Sequence, residues 1–564
     1  MNKSSLSGMA PHWTHRFAHA RPNIRLSLRA AFCISTPLIV GVVIHQRLDA
    51  ILIGIGALWA VSQDGLDDWR VRGRRILGVA VGGGLGFALG AAVVERSDTT
   101  WALALFSGLV ALVAGFVESS GWPTQGAYLL LGSILGAGLG ITGPLWRPSL
   151  CMVGGALLLY VVAALMDRQS RLANQRVYLS TAFTQLASLV ELLGTARFYD
   201  QRAAAVAAVD RAQDLVGGAR VHSSDEEVAL RECLIVALRC GEVISYLEGK
   251  SLHVDDTVSL ALSEVANTLD TGTAINALVT IRQLPAIFRS ATGLDDAVTS
   301  AITLSDATRL RALALRPPVP GSLRYRLPLI ERVRFGVVLS LAIVVGVIVS
   351  RVLDGPHGFW LPLSVALIFR PDLGPVVTRA VARTLGTVVG VGIAAIVAWR
   401  GNSVLALIIL ACLMSAITPW AVRRSHFLGV LTFTPIVFVF LTLAGDAKYL
   451  LVPRIVDTAI GAAIVLTLDV MLWSTAPSLR PAPQLEAAQR ALEYYELDAP
   501  STDPIRRNVL RRNALRAVAR ARSSFDQARR EPPFLRRHDP TTLAELNAVE
   551  AAIDARTVTL FDSE

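Results

Sequence analysis

Charged residues are scarce in this chain. Only 17% of its 564 residues are Asp, Glu, Lys or Arg, where about a quarter is usual in soluble domains. With 53% hydrophobic residues and a mean hydropathy of +0.50, that scarcity excludes an ordinary soluble protein and predicts an integral membrane one. Cysteine is also sparse: Cys33, Cys151, Cys233, Cys240 and Cys412 form no CxxC pair, so neither a disulfide framework nor a zinc site is expected. No GxxxxGK[ST] loop is present to cradle ATP phosphates. No nucleophile, base and oxyanion set is visible. The chain therefore reads as no enzyme and as needing no cofactor, with energy drawn from a proton gradient or another subunit. The tail to Arg29 is basic, but no small-residue cleavage site follows the first apolar run, so the N-terminus is not read as a cleavable signal.

What the chain does have is apolar runs, in two blocks. The first reads Ala30–Ile44, Ile51–Val61, Ile76–Val94, Trp101–Val117, Gly126–Ile141 and Leu150–Met166. The second reads Phe335–Val352, Phe359–Phe369, Leu385–Trp399, Val404–Trp420, Phe427–Leu443 and Ile455–Trp473. Each block offers about six spans by hydropathy. Arginines cluster at alternate loops: Arg16 to Arg29, Arg70 to Arg75, Arg168 to Arg176, Arg324 to Arg334, Arg370 to Arg383, and Arg423 with Arg424. The loops between, such as Glu95–Thr100 and Ala444–Lys448, carry little positive charge. The positive-inside rule then places both termini and both polar segments in the cytoplasm. This bias and anionic membrane lipid account for the net charge of +10; no basic domain motif argues for nucleic acid.

Between the blocks, Asp167–Leu327 is too polar to span and reads as amphipathic helices, with Leu186, Leu189, Val190 and Leu193 at helical spacing. Ser223-Ser224-Asp225-Glu226 marks a helix start, and Arg316-Pro317-Pro318-Val319-Pro320-Gly321 a linker. After the last span, Asp503-Pro504 suits an N-cap and first helical position. Arg506 to Arg530 reads as an arginine-dense helix with a solvated face. The expected architecture is all-α: a tail (1–29), a first membrane repeat (30–166), a cytoplasmic helical domain (167–327), a second membrane repeat (328–474) and a C-terminal cytoplasmic helical region (475–564).

The blocks resemble each other. One offset places Arg75, Gly78, Gly82 and Asp64 over Arg383, Gly386, Gly390 and Asp372. A slightly different one places Arg147 and Gly154 over Arg454 and Gly461, and Trp59 matches Trp360 only with a gap. Six spans per block make these parallel repeats, related by an axis along the membrane normal. The second run of each block is short. Phe359–Phe369 would reach roughly 16 Å as a helix, about half of a ~30 Å hydrocarbon core. Pro362 is expected to break it, and Gly54 and Gly56 to loosen its counterpart Ile51–Val61. Paired interrupted segments point to a transporter's substrate site.

Trp360-Leu361-Pro362-Leu363-Ser364-Val365, Arg370-Pro371-Asp372, Arg379, Arg383-Thr384-Leu385-Gly386-Thr387 and Gly390 resemble the signature of the fusaric acid resistance protein-like family, which includes aromatic acid exporters. Arg454, Asp457 and Gly461 resemble its last-span pattern. In the first block Gln63 and Asp64 stand without the Arg-Pro, and Asp67 and Asp68 are added. The resemblance implies inner-membrane efflux of small, often aromatic, organic acids, sometimes with a periplasmic adaptor protein. Plant anion channels of the aluminium-activated malate type look distantly similar.

The substrate-binding candidates are Trp360, Pro362, Arg370, Asp372, Arg379, Arg383, Thr384 and Thr387, with Trp59, Asp64 and Arg75 in the first block. A planar guanidinium binds a carboxylate through two parallel hydrogen bonds. Asp457 and Asp469 are candidates for proton coupling, because ionisable groups within spans are costly; a salt bridge between Arg454 and Asp457 is the alternative. Gly78, Gly82, Gly386, Gly390 and Gly461 read as close helix packing. His12, His15 and His19 lack supporting ligands, so no metal is expected. The leading reading is a proton-coupled exporter of aromatic-type organic anions in the bacterial inner membrane. Its partners would be membrane lipids, the acid, an adaptor and further copies of the chain. The rivals are a passive anion channel and a membrane scaffold acting in envelope maintenance.

Overall fold

The computed structural model describes residues 23–65, 69–97, 99–139, 144–168, 171–195, 197–217, 224–252, 254–292, 327–353, 358–370, 376–399, 403–445, 451–473, 480–501, 504–530 and 542–563. Among them there is no strand, and the all-α expectation holds. The chain divides into two compact units, each assembled from two separate stretches: Met1–Asp167 with Tyr325–Thr475, and Arg168–Arg324 with Ala476–Glu564.

The first unit holds both apolar blocks. The first block comprises α1 (Ile24–Val43), α2 (Arg47–Gln63), α3 (Trp69–Arg96), α4 (Thr100–Ser119), α5 (Pro123–Gly138) and α6 (Trp146–Arg168). The second, after the helices of the other unit (α7 to α12, below), comprises α13 (Leu329–Val352), α14 (Trp360–Ile368), α15 (Val376–Trp399), α16 (Val404–Arg424), α17 (His426–Ala444) and α18 (Leu451–Leu468). Among the described residues, nine helices are long and apolar enough to cross a membrane; α2, α5 and α14 are the ones in these blocks that are not. Local signals start and stop them. Asn23, Thr99, Ser403 and Ser425 accept backbone N–H bonds as N-caps of α1, α4, α16 and α17. Gly445, at φ 109°, ends α17 in the left-handed conformation.

The short second run of the second block is present as α14, nine residues, about 13 Å long. Pro362 does not break it. It is the third residue of the helix, in the first turn, where a backbone N–H has no intrahelical acceptor to lose, so the helix accommodates it. The counterpart α2 is a continuous 17-residue helix, and its glycines serve packing instead. A methyl group at Gly56 would run into the Met152 backbone of α6, and one at Gly54 would lie 3.0 Å from the Phe440 ring.

Glycines at a four-residue interval set the closest helix pair. Gly78, Gly82, Gly86 and Gly90 form one row on α3. A methyl at Gly78 would meet the Gln125 side chain at 2.9 Å and one at Gly82 the Gln125 carbonyl oxygen at 2.8 Å, while Gly86 and Gly90 leave no room at all against Leu129 and Ser133 of α5. In the second block Gly386 and Gly390 face Phe427 and Thr434 of α17 at 2.9 and 2.7 Å. Between blocks the pairing is crosswise: α1 packs along α16, and α4 along α13. Ser340 Oγ donates to the Gly108 carbonyl at 2.7 Å in the latter seam.

The second unit contains α7 (Arg171–Val190), α8 (Phe198–Gly217), α9 (Asp225–Gly249), α10 (Asp256–Thr271), α11 (Ala274–Ile281), α12 (Leu284–Thr292), α19 (Pro481–Asp498), α20 (Pro504–Arg530) and α21 (Leu543–Phe561). Ser224 caps α9, with Asp225, Glu226 and Glu227 in its first turn, as the serine-acid run predicts. Leu186, Leu189, Val190 and Leu193 enter the core with Phe183 and Phe288. The proline-rich linker lies outside the described residues.

The reading of α20 as a solvated arginine face is corrected. Arg511, Arg512 and Arg522 are buried because acids and carbonyls of neighbouring helices oppose them. Arg512 pairs with Asp210 of α8, and Arg516 Nε reaches the same carboxylate at 2.5 Å. Arg511 Nη1 donates to Ser245 Oγ of α9 at 2.8 Å. Arg522 contacts Asp200 at 2.8 Å and Glu550 of α21 at 3.3 Å, and Arg202 of α8 contacts Asp554 at 2.8 Å. The two polar stretches of the chain thus fold together around buried ion pairs.

Burial pushes the Glu550 carboxyl up to about 7 and that of Asp554 up to about 6, against the opposing pull of Arg202. The folded unit therefore holds protons that the unfolded chain releases, and its stability falls as pH rises from about 4 to 7. Amide exchange of α21 in the full chain, corrected for intrinsic rates, should show protection that declines from pH 5 to pH 7. Glu550→Gln should flatten that slope. Protection that rises over this window in the unaltered protein would contradict the assignment.

Candidate anion-binding site

Three helices of the second block converge on one region. α14 brings Trp360 and, a turn later, Ser364. α15 brings Arg379, Arg383 and, a turn after Arg383, Thr387. α18 packs on both helices and brings Arg454 and Gly461. A methyl at Gly461 would sit 3.1 Å from Ser364 Cβ and 3.2 Å from the Leu361 carbonyl, so glycine lets α18 seat closely on α14. Ser364 and Thr387 are fully buried, and Arg383 is 6% exposed. The Arg454 guanidinium lies over the Trp360 ring, 3.9 Å from its centroid, a cation–π contact.

The charges of this region are only partly answered. Arg383 lies within electrostatic reach of Arg370 and Arg454, and His426 within reach of Arg383, Arg379 and Arg370. Arg454 does not form the salt bridge with Asp457 that the sequence offers as an alternative; its guanidinium is over Trp360 instead. Arg383 Nε, Arg454 Nη1, Ser364 Oγ and Thr387 Oγ1 are buried without a hydrogen-bond partner. Each such orphan costs about 1–3 kcal/mol, and more where the group is charged. An anion seated among them would supply the missing acceptors.

The remaining candidates fall as follows. Arg370 Nη1 meets Glu118 Oε1 of α4 at 3.2 Å, and Arg379 Nη2 donates to the Arg370 carbonyl at 3.1 Å. The Thr384 hydroxyl donates to Ala380 O of its own helix at 2.9 Å. Asp457 is half-buried on α18. Asp469 begins a five-residue π-helical turn, Asp469–Trp473, a geometry common at functional sites. Asp372, His12, His15 and His19 lie outside the described residues.

The first block is arranged differently. Arg29 Nη2 donates to Asp64 Oδ1 at 2.9 Å, and its Nε lies 2.5 Å from Oδ2 as an ion pair without hydrogen-bond geometry. Asp167 answers Arg29 at 3.0 Å and also Arg72. Arg423 Nη2 donates to the Asp64 carbonyl at 3.1 Å. Asp64 is therefore enclosed in a set of two arginines and two acids. Trp59 packs against Tyr128 with centroids 5.3 Å apart, and Arg75 is half-buried on α3.

Glu118 and His426 are absent from the candidates that sequence reasoning names. Glu118 carries a legible signal: it is the one acid in the apolar helix α4, where an ionisable group is expensive. His426 carries none, because it reads as the start of an apolar run.

Comparison with known proteins bears on this block. Residues 342–468 match the family described as "Fusaric acid resistance protein-like". Uncharacterized protein YhfK of Escherichia coli (strain K12) is 28% identical over 237 residues, 40% of this chain and 33% of its own length. Inner membrane protein YccS of the same organism is 26% identical over 141 residues, 25% of this chain and 20% of its own. Uncharacterized protein slr1298 of Synechocystis sp. (strain ATCC 27184 / PCC 6803 / Kazusa) is 28% identical over 193 residues, 31% and 24% respectively. The chain matches a third or less of the length of each of these relatives. No solved structure matches it. This is a multi-pass membrane protein whose residues 342–468, the stretch that holds Trp360, Arg383 and Arg454, carry the pattern of the fusaric acid resistance protein-like family.

Proposed function

We propose that the chain is an inner-membrane exporter of small organic anions, aromatic carboxylates above all, driven by the proton gradient. The observation that carries this reading is the buried Arg383 and the half-buried Arg454, each with an unsatisfied buried N–H, on packed helices that also carry the unsatisfied hydroxyls of Ser364 and Thr387. A carboxylate fits that donor set, and the Trp360 face offers an aromatic ring a surface to pack on. The family's printed description, resistance to an organic acid, agrees. Asp457 and Asp469 are the carriers of the coupled proton. The crosswise pairing of α1 with α16 and α4 with α13 supports two parallel repeats about an axis along the membrane normal, and the arginine distribution keeps both termini cytoplasmic.

Radiolabelled benzoate and inside-out membrane vesicles test it. Energised vesicles containing the protein should accumulate benzoate, and a protonophore should abolish the accumulation. Passive permeation of the neutral acid drains it from an acidic interior, and valinomycin with potassium removes the potential that would draw the anion through a channel, so accumulation under those conditions reports the proton-coupled carrier. Entry that follows the benzoate gradient regardless of protonophore would mark a channel instead. No uptake across a panel of aromatic acids would overturn the reading.

A further inference from the structure

Resting on that reading, we infer that Glu118 is a resident carboxylate that holds the Arg370 arm of the anion site until a substrate carboxylate displaces it. Glu118 stands at the end of α4, in the opposite block from Arg370, and its side chain is 3% exposed. Gly126 shapes its path: a methyl there would lie 2.8 Å from Glu118 Cγ. Arg370 follows directly on α14 and lies within electrostatic reach of Arg383, so the acid meets the arginine cluster at its edge.

The geometry of the two blocks' ion pairs differs in a way that bears on displacement. Arg29 holds Asp64 through one hydrogen bond and a second close ion contact, with both side chains almost completely buried, a pair that water does not reach to help open. The Arg370 guanidinium donates a single hydrogen bond to Glu118, at 3.2 Å, and its side chain stays 15% exposed. Among the described residues the other arm of its fork meets no acceptor, which leaves it to a second one. A free carboxylate can take both arms, which a glutamate reaching across from α4 does not. At the end of α16, the fourth helix of the other block as α4 is of its own, stands Arg423, which donates to the Asp64 backbone. There Arg29 and Arg72 already have Asp64 and Asp167. Among the described residues neither Arg383 nor Arg454 has a carboxylate at ion-pair distance, Asp457 lying only within electrostatic reach of Arg454, so an incoming anion meets incompletely answered charge in the second block.

Benzoate and benzamide binding to the purified full chain, followed by tryptophan fluorescence or calorimetry, tests this. Glu118→Gln should bind benzoate about tenfold more tightly than the unaltered protein, the gain from freeing one charge-assisted contact, with benzamide unchanged. Glu118→Asp, one methylene shorter, should lie between them. Equal or weaker benzoate binding by Glu118→Gln, at an unchanged unfolding temperature, would make Glu118 a strut and overturn the inference. Should Glu118→Gln not fold, Glu118→Asp decides by the same criterion. An unaltered protein that binds none of the aromatic acids overturns the substrate reading itself, whereas binding without a gain in the variants overturns only the role of Glu118.

Discussion

Arg383→Lys is expected to weaken benzoate binding ten- to hundredfold while leaving benzamide binding little changed. Lysine keeps the charge but loses the planar fork. A hydrogen bond to a charged group is worth about 1.5–3 kcal/mol, and about 1.4 kcal/mol is tenfold in affinity. Arg383 is the sensitive position because it is buried on α15, one turn before Thr387, with its Nε unsatisfied. Arg96→Lys, in the exposed last turn of α3, is the control and should be silent. Arg423 is unsuitable for that purpose, since it bonds the Asp64 carbonyl. Expression, membrane insertion and binding of both ligands would be measured side by side. Equal behaviour of the two variants, or equal loss for acid and amide, would remove the carboxylate-binding role from Arg383.

Two adjacent glycines on α6 should behave oppositely. Gly155→Val is expected to prevent stable insertion: its Cβ would collide with the Ile53 carbonyl and lie 2.8 Å from the Ala57 backbone nitrogen of α2. Overpacking of this kind costs about 1–3 kcal/mol where side chains can yield, and helix backbone yields less. Gly154→Val should be tolerated, because nothing lies within 4 Å of a methyl there. Detergent-solubilised yield and monodispersity check both. A Gly155→Val protein that is produced and behaves like Gly154→Val would show that α2 and α6 are not held at this distance.

The same pair shows where sequence comparison loses resolution. The offset that joins Arg147 to Arg454 lays Gly154 over Gly461. Yet the glycine that admits the second helix of its block is Gly155 in α6 and Gly461 in α18. A one-residue slip rotates a helix position by about 100°, which is the difference between a helix seam and open space. Arginines show a similar limit. Composition alone cannot tell a loop arginine that sets topology from Arg383, buried in α15, or from Arg512, buried against Asp210 in the other unit.

The sequence by itself determined that this is an all-α membrane protein with two apolar blocks, a short segment at the start of the Trp360 signature, and small-residue rows for close packing. Those properties follow from hydropathy, length and residue size, which are local. Only the tertiary structure decided that Pro362 sits in the first turn of α14, that the two polar stretches fold as one unit around buried ion pairs, and that Asp64 is held by Arg29 while, among the described residues, Arg383 and Arg454 have no acid at ion-pair distance. The reason is physical: which acid meets which arginine depends on helices far apart in sequence, as Glu118 of α4 and Arg370 after α14 show. Residue types announce that charges are present, and three-dimensional packing alone decides which of them are neutralised.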